Sequence, residues 1–172
     1  MKIHIKILRD TYERAREDLK RPHSFAAERV GFFSSKRNKM DGTTLLVFLI
    51  EYHPIPDDQY IDDPDSGARI NGTAIREAVQ RTLDTGNGVF HVHEHPGRGI
   101  PQQSPMDREE LPQLIPSFQA AAPNASHGVF LLSQDKFSGL VWMPGERMAR
   151  HAEQISVVGF PLTIIKRQHR VH

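Results

Sequence analysis

The run His91-Val92-His93-Glu94-His95-Pro96 places three histidines within five residues. Imidazole is the commonest metal ligand among side chains. Residues i and i+2 of a strand project to one face, and a strand end relaxes into its loop. An H-x-H pair at a strand terminus can therefore aim two rings at one ion. A hydrolytic zinc site asks for three protein ligands, usually His and carboxylate, and one open position for water. Asp107 offers the carboxylate, on a helix that it is expected to open. Two more groups could do chemistry: Glu28, at the start of the short apolar run Val30-Gly31-Phe32-Phe33, and Ser104, three residues before Asp107. His91 and His93 form a competing pair, but no proline follows it. Taken singly these residues have plainer uses. A lone Glu is usually a surface carboxylate, and a Ser before a helix usually caps it. Only their coincidence points to a metal site.

Composition narrows the chemistry further. The chain has 172 residues, 38% hydrophobic and 25% charged, which suits one soluble domain with a real core. It contains no cysteine, so disulfides, thiol nucleophiles and Cys-ligated zinc are excluded. A net charge of +1 gives no field that points to nucleic acid or membrane. No apolar run reaches the roughly 20 residues that span a bilayer. The start, Met1 to Leu8, lacks the continuous apolar stretch of a signal peptide, and a cytoplasmic protein is expected.

Elements must position these groups. Ile3, Ile5 and Ile7 alternate with His4 and Lys6, a half-buried strand. Asp10 to Lys20 reads as a helix ended by Arg21-Pro22. Glu28–Phe33 and Thr43–Ile50 read as neighbouring strands joined by the polar stretch Ser34–Asp41. Residues 54 to 72 carry prolines, glycines and aspartates 57, 58, 62, 63 and 65, and read as a solvated loop. Thr73 is the expected N-cap of a helix to Leu83, with Ala74, Ala78 and Val79 inward. Val89 to His93 is a strand with Phe90 and Val92 on one face and Val89, His91 and His93 on the other. Pro96–Pro105 is a loop, and Asp107 opens a helix toward Phe118. Gly128–Leu132 and Gly139–Met143 are antiparallel strands about the turn Ser133–Ser138. Ile155–Ile165 is a last strand. The expected fold class is α/β, a mixed, largely antiparallel curved sheet flanked by helices, in one domain over 1–165, with 166–172 a frayed basic tail.

Glu28, then His93-Glu94-His95-Pro96, then Ser104-Pro105-Met106-Asp107 resembles the pattern of the JAB/MPN (JAMM) metalloproteases, whose domain has the cytidine-deaminase-like architecture. That pattern is a Glu on an early strand, then H-x-H-P, then S-x-x-D. The order of elements is similar from Ile3 to about Met143. Two departures stand out. Eleven residues, 96 to 106, separate the second His from the Asp, one more than the family usually has. Glu94 stands where the family usually has Ser or Thr, and its side chain is expected to point away from the metal. The resemblance implies one zinc ion per chain on His93, His95 and Asp107, with Glu28 as general base and Ser104 as an oxyanion donor. It implies cleavage of isopeptide or peptide bonds after the C terminus of a ubiquitin-like or sulfur-carrier-like protein. A companion ubiquitin-activating-like adenylyltransferase is also implied, and the 54–72 loop takes the place of the family's first insertion.

Two alternatives remain at this level: a non-catalytic MPN-type scaffold, against which the intact residue set argues, and another small metal-dependent amidohydrolase. Metallo-β-lactamase-like sites need Asp-His after the second His, which is missing, and amidohydrolase barrels are much longer. A deaminase site needs Cys ligands. His127, before a strand near the site, is a candidate partner for a ligand. Histidines 4, 23, 53, 151, 169 and 172 are expected to be structural or on the surface.

Overall fold

Alternating isoleucines build the first strand, β1 (Lys2–Leu8), in which Ile3, Ile5 and Ile7 are buried. A computed structural model describes residues 1–24, 26–40, 42–63 and 67–167. Helix α1 (Arg9–Leu19) follows, burying Tyr12, Ala15 and Leu19 at helical spacing. Strand β2 (Val30–Lys39) runs on through Ser34–Lys39, which the sequence suggested as a connection. The correction has a simple cause: main-chain pairing to β3 (Thr44–Pro54) carries the polar half of β2, exposed from Lys36 on, without any apolar side chain. A bulge at Ser34/Ser35 separates the two halves.

The 54–72 segment is only partly a solvated loop. Asp57–Gln59 forms a short 3-10 turn, Tyr60 bridges Ile70, and Ile55 and Tyr60 are buried. Asp57 pairs with buried Arg29 at 2.8 Å and Asp63 with Arg69 at 2.9 Å. Asp65 of the aspartate cluster lies outside the described residues. Helix α2 (Gly72–Thr85) is capped by Asn71, not Thr73: the Asn71 side chain accepts from the Thr73 and Ala74 N–H groups.

Strand β4 (Gly88–Glu94) leads to helix α3 (Pro105–Ala121), which begins two residues before the expected start and continues through Pro112 and Pro116. Strands β5 (His127–Leu132) and β6 (Phe137–Trp142) follow, then a short β7 (Arg150–His151). The expected last strand is two antiparallel strands, β8 (Gln154–Val158) and β9 (Thr163–Lys166), because Gly159 to Leu162 turns the chain. Lys166 therefore closes a strand, and the Arg167 N–H donates to the Glu153 carbonyl at 2.9 Å. The rest of the expected tail, 168–172 with His169 and His172, lies outside the described residues.

The strands make one mixed sheet in the order β7-β6-β5-β4-β2-β3-β1-β8-β9. Five of its eight pairings are antiparallel; β1–β3, β1–β8 and β4–β5 are parallel. The fold is thus mixed α/β, with a mostly antiparallel, curled sheet. The curl brings β6 back toward β1 and β8 around a core of Ile3, Ile5, Phe33, Phe90, Phe130, Val141 and Ile155, which α1 joins through Tyr12. Helices α2 and α3 cover the other face, over Phe32, Val89, Val129 and Leu131. No described helix is long and apolar enough to cross a membrane.

The seam of the curl depends on Gly139. A Cβ there would stand 2.5 Å from Ile5 Cδ1, and Ile5 is fully buried. Gly139→Ala is expected to cost about 1–3 kcal/mol through overpacking. Urea unfolding measures it, and an unchanged midpoint would show that the seam yields freely.

Candidate metal centre

Strand pairing brings Glu28 to the histidines. In the antiparallel ladder Val30 stands opposite His93, so two residues back along one chain meets two residues forward along the other, Glu28 against His95. His91 and His93 share the β4 face that looks toward α2 and α3, while Phe90 and Val92 enter the opposite core. His95 lies just beyond the strand, held by its N–H donating to the Leu132 carbonyl at 2.8 Å. Its ring swings to the same side: the Nε2 atoms of His93 and His95 are 2.8 Å apart.

Asp107 arrives from α3. Ser104 is the N-cap of that helix; its Oγ accepts from the Asp107 N–H at 3.0 Å, and Asp107 Oδ2 accepts from the Ser104 N–H at 2.8 Å. The Ser-x-x-Asp spacing is thus a reciprocal capping box, which fixes the carboxylate's direction. Asp107 Oδ1 lies 3.3 Å from His93 Nε2, and Oδ2 lies 3.2 Å from His95 Nε2. Burial pushes the Asp107 carboxyl up. The hydrogen bond and charge of His93, with the Ser104 N–H and hydroxyl, more than offset this and hold it well below the usual carboxylate range.

Glu28 completes the cluster. One carboxylate oxygen of Glu28 and one ring nitrogen each of His93 and His95 all lie within 4.8 Å of one another, a group that could hold a metal ion. Glu28 sits before β2 rather than on it. Its N–H donates to the Gly67 carbonyl at 2.8 Å, and its carboxylate lies over the Gly67 Cα, where a Cβ would meet it at 3.2 Å. Buried Arg29 secures the same stretch by donating to the Arg21 and Pro22 carbonyls. All five expected residues, Glu28, His93, His95, Ser104 and Asp107, line one cleft of about 890 Å³. Gly67–Ile70, Glu109 and Glu110 form other parts of its wall. Sequence reasoning missed Gly67, because a loop glycine announces no chemistry.

No protein-family model and no curated protein matches this sequence.

Two other histidines find their places. His127 is not a partner of the site. Its Nδ1 accepts from the Val89 N–H at 3.2 Å, its Nε2 donates to the Ala122 carbonyl at 3.1 Å, and its ring stacks on Phe118. Both nitrogens are used in joining the end of α3 to the sheet. His91 also lines the cleft but is buried, edge-on to Phe32 and His93, with a buried Nδ1 that has no partner. Burial, with a smaller contribution from His93, pushes its pKa down to about 3. Glu94 points to the other face and pairs with Arg16 of α1 at 2.8 Å.

A His whose pKa is depressed by folding stabilises the protein fully above its unfolded value of about 6.5 and loses that contribution as pH falls below it. For His91 the loss continues toward pH 3. Metal-free protein is therefore expected to lose about 2 kcal/mol at this position between pH 7 and pH 5. His91→Leu should flatten the urea midpoint over that range by the same amount; an unchanged slope would place His91 in contact with water.

Proposed function

We propose that the chain is a zinc-dependent hydrolase of the JAB/MPN type. On this reading it cleaves an isopeptide or peptide bond after the C terminus of a ubiquitin-like or sulfur-carrier-like protein. The observation that carries the reading is the convergence of His93, His95 and Asp107 on one point, with Glu28 beside it. Ligands about 2.0–2.1 Å from a tetrahedral ion lie roughly 3.3–3.4 Å from one another. Each His–Asp separation, 3.3 Å to Oδ1 and 3.2 Å to Oδ2, is close to that edge, but a single Asp107 oxygen has to turn toward both rings to bind as one ligand, and the 2.8 Å between the histidines needs to open by roughly half an ångström. Two imidazoles and a carboxylate are also a set that zinc takes when it keeps a fourth position for water. One feature departs from common practice. Zinc-bound histidines usually donate their second N–H, yet His93 Nδ1 is buried without a partner, so that nitrogen does not help to orient the ring.

A bound zinc ion would supply Lewis acidity and make a water acidic enough to lose its proton near neutral pH. Glu28 accepts that proton and later delivers it to the leaving amine. Gly67 backs the carboxylate and keeps it over the histidines. Ser104 uses a lone pair for the Asp107 N–H and retains its hydroxyl proton, which it donates to the developing oxyanion; such a donor is worth about 3–4 kcal/mol. The 67–70 wall belongs to the segment in the place of the family's first insertion, and the substrate's C-terminal tail lies against it on this reading. A ubiquitin-activating-like adenylyltransferase is the corresponding partner.

The Glu28–His93–His95 grouping favours one second reading. If Glu28 enters the coordination sphere beside Asp107, four protein ligands close the site, and the ion is structural.

Two measurements separate these readings. Elemental analysis should find about one zinc per wild-type chain and none in His95→Ala. Glu28→Gln should keep the zinc and lose at least about 100-fold in cleavage of a carrier-protein fusion. Loss of zinc from Glu28→Gln would instead establish the closed site. Gly67→Ala tests the backing of Glu28, because the side chain can swing away from the new methyl group. Zinc content should hold and stability change by less than about 1 kcal/mol, while turnover falls about tenfold. Wild-type turnover would show that Glu28 needs no support from that wall.

A further inference from the structure

Glu94 stands between the two histidines in sequence, yet its carboxylate turns to the opposite face of the sheet and is only 14% exposed. Arg16 Nη2 donates to its Oε1 at 2.8 Å. The same guanidinium donates through Nη1 to the Tyr12 hydroxyl at 3.0 Å and to the Gln134 carbonyl at 3.2 Å. Gln134 belongs to the β5–β6 turn, and its N–H donates to the Gly97 carbonyl at 3.0 Å. One arginine on α1 therefore ties the residue before His95 to a turn that holds the residue two after it. The pair has one unused rung: Arg16 Nε and Glu94 Oε2 are both buried and without partners, and they are the atoms that would complete a side-on arginine–carboxylate fork.

We propose that the Arg16–Glu94 pair is a positioning device for the His93–His95 end of β4. It pins the main chain from behind so that the two imidazoles stay convergent on the other face. Apolar residues of similar shape would often serve stability as well as a charged pair at this depth, which leaves room for a positioning use. Glu94 touches neither the ring nitrogens nor Asp107, so it acts only through the backbone. The part of the inference that concerns metal affinity rests on the metal-centre reading; the part that concerns the backbone does not.

The test uses the full chain and two readouts. In metal-free protein, amide exchange at His95 and Gln134 should rise at least about tenfold in Glu94→Ala, relative to the change at β1 amides. Glu94→Gln keeps the shape and an acceptor for Arg16, and should stay within about threefold of wild type. Zinc affinity, measured by chelator competition, should weaken about 10–100-fold in Glu94→Ala and recover in Glu94→Gln. Should Glu94→Ala fail to fold, Arg16→Lys keeps the charge, loses the reach to Gln134, and should raise exchange at the Gln134 amide. Earlier melting with wild-type local exchange and wild-type zinc affinity would overturn the proposal and leave an ordinary buried ion pair. A wild-type protein that binds no zinc would remove the metal-centre reading, while the exchange data would still decide the tether.

Discussion

Two imidazole nitrogens 2.8 Å apart cannot both carry protons that face each other. At least one must present a lone pair, and with the Asp107 carboxylate in ion-pairing range at 3.2 and 3.3 Å the site concentrates polar groups in a largely buried place. Left free, such groups would turn toward water or separate. Much of the surrounding structure acts to prevent that. Ladder pairing fixes His93, the added hydrogen bond to Leu132 fixes His95, and the capping box fixes Asp107. Each restraint comes from main-chain hydrogen bonding or from a helix cap, whose geometry is stiffer than that of a side chain on a loop.

The same restraints divide the sheet into a stabilising face and a working face. Phe90 and Val92 of β4 enter the core enclosed by the curl, so the strand cannot slip by one residue without turning its histidines into that apolar core and Phe90 onto the cleft face. Register, set by apolar burial on one side, therefore fixes the chemistry on the other. His91 and His127 show the cost and the use of histidine away from the convergent set. His91 is held neutral with an unpaired Nδ1, whereas His127 satisfies both nitrogens and joins α3 to the sheet.

The residue types of the site are legible in the sequence because the chemistry demands them: few residues besides His, Asp and Glu can hold a hard or borderline cation without cysteine. Their spacing also reports local structure, since Ser104-x-x-Asp107 is a helix cap before it is anything else. Strand β1 is legible through its period-two burial, and β3 and β4 through their continuous apolar runs. What periodicity cannot show is pairing. The polar half of β2 is a strand only because β3 lies beside it, and the split of β8 from β9 depends on a turn within one apolar run. The roles of Arg16 and Gly67 are equally silent, as an arginine on an amphipathic helix and a glycine in a loop have ordinary uses. Their importance comes from contacts 78 and 39 residues away along the chain, with Glu94 and Glu28.

The eleven residues between His95 and Asp107 form a loop whose two ends are anchored separately. Gly97 and Gly99 adopt φ of 96° and 94°, a region where a side chain would be strained, and so fold the loop into a tight path. The β5–β6 turn then grips that path. Gly97 accepts from the Gln134 N–H, Gly99 donates to Asp135 and accepts from the Ser133 hydroxyl, and Ser138 donates to the Pro101 carbonyl. Four contacts spread over residues 97 to 101 make the segment a strut rather than a tether. His95 is fixed at one end by β5 and Ser104 at the other by its own helix, so the loop runs between two anchored points. Spacing in such a motif is then a weak constraint, and the anchoring at its ends is the strong one.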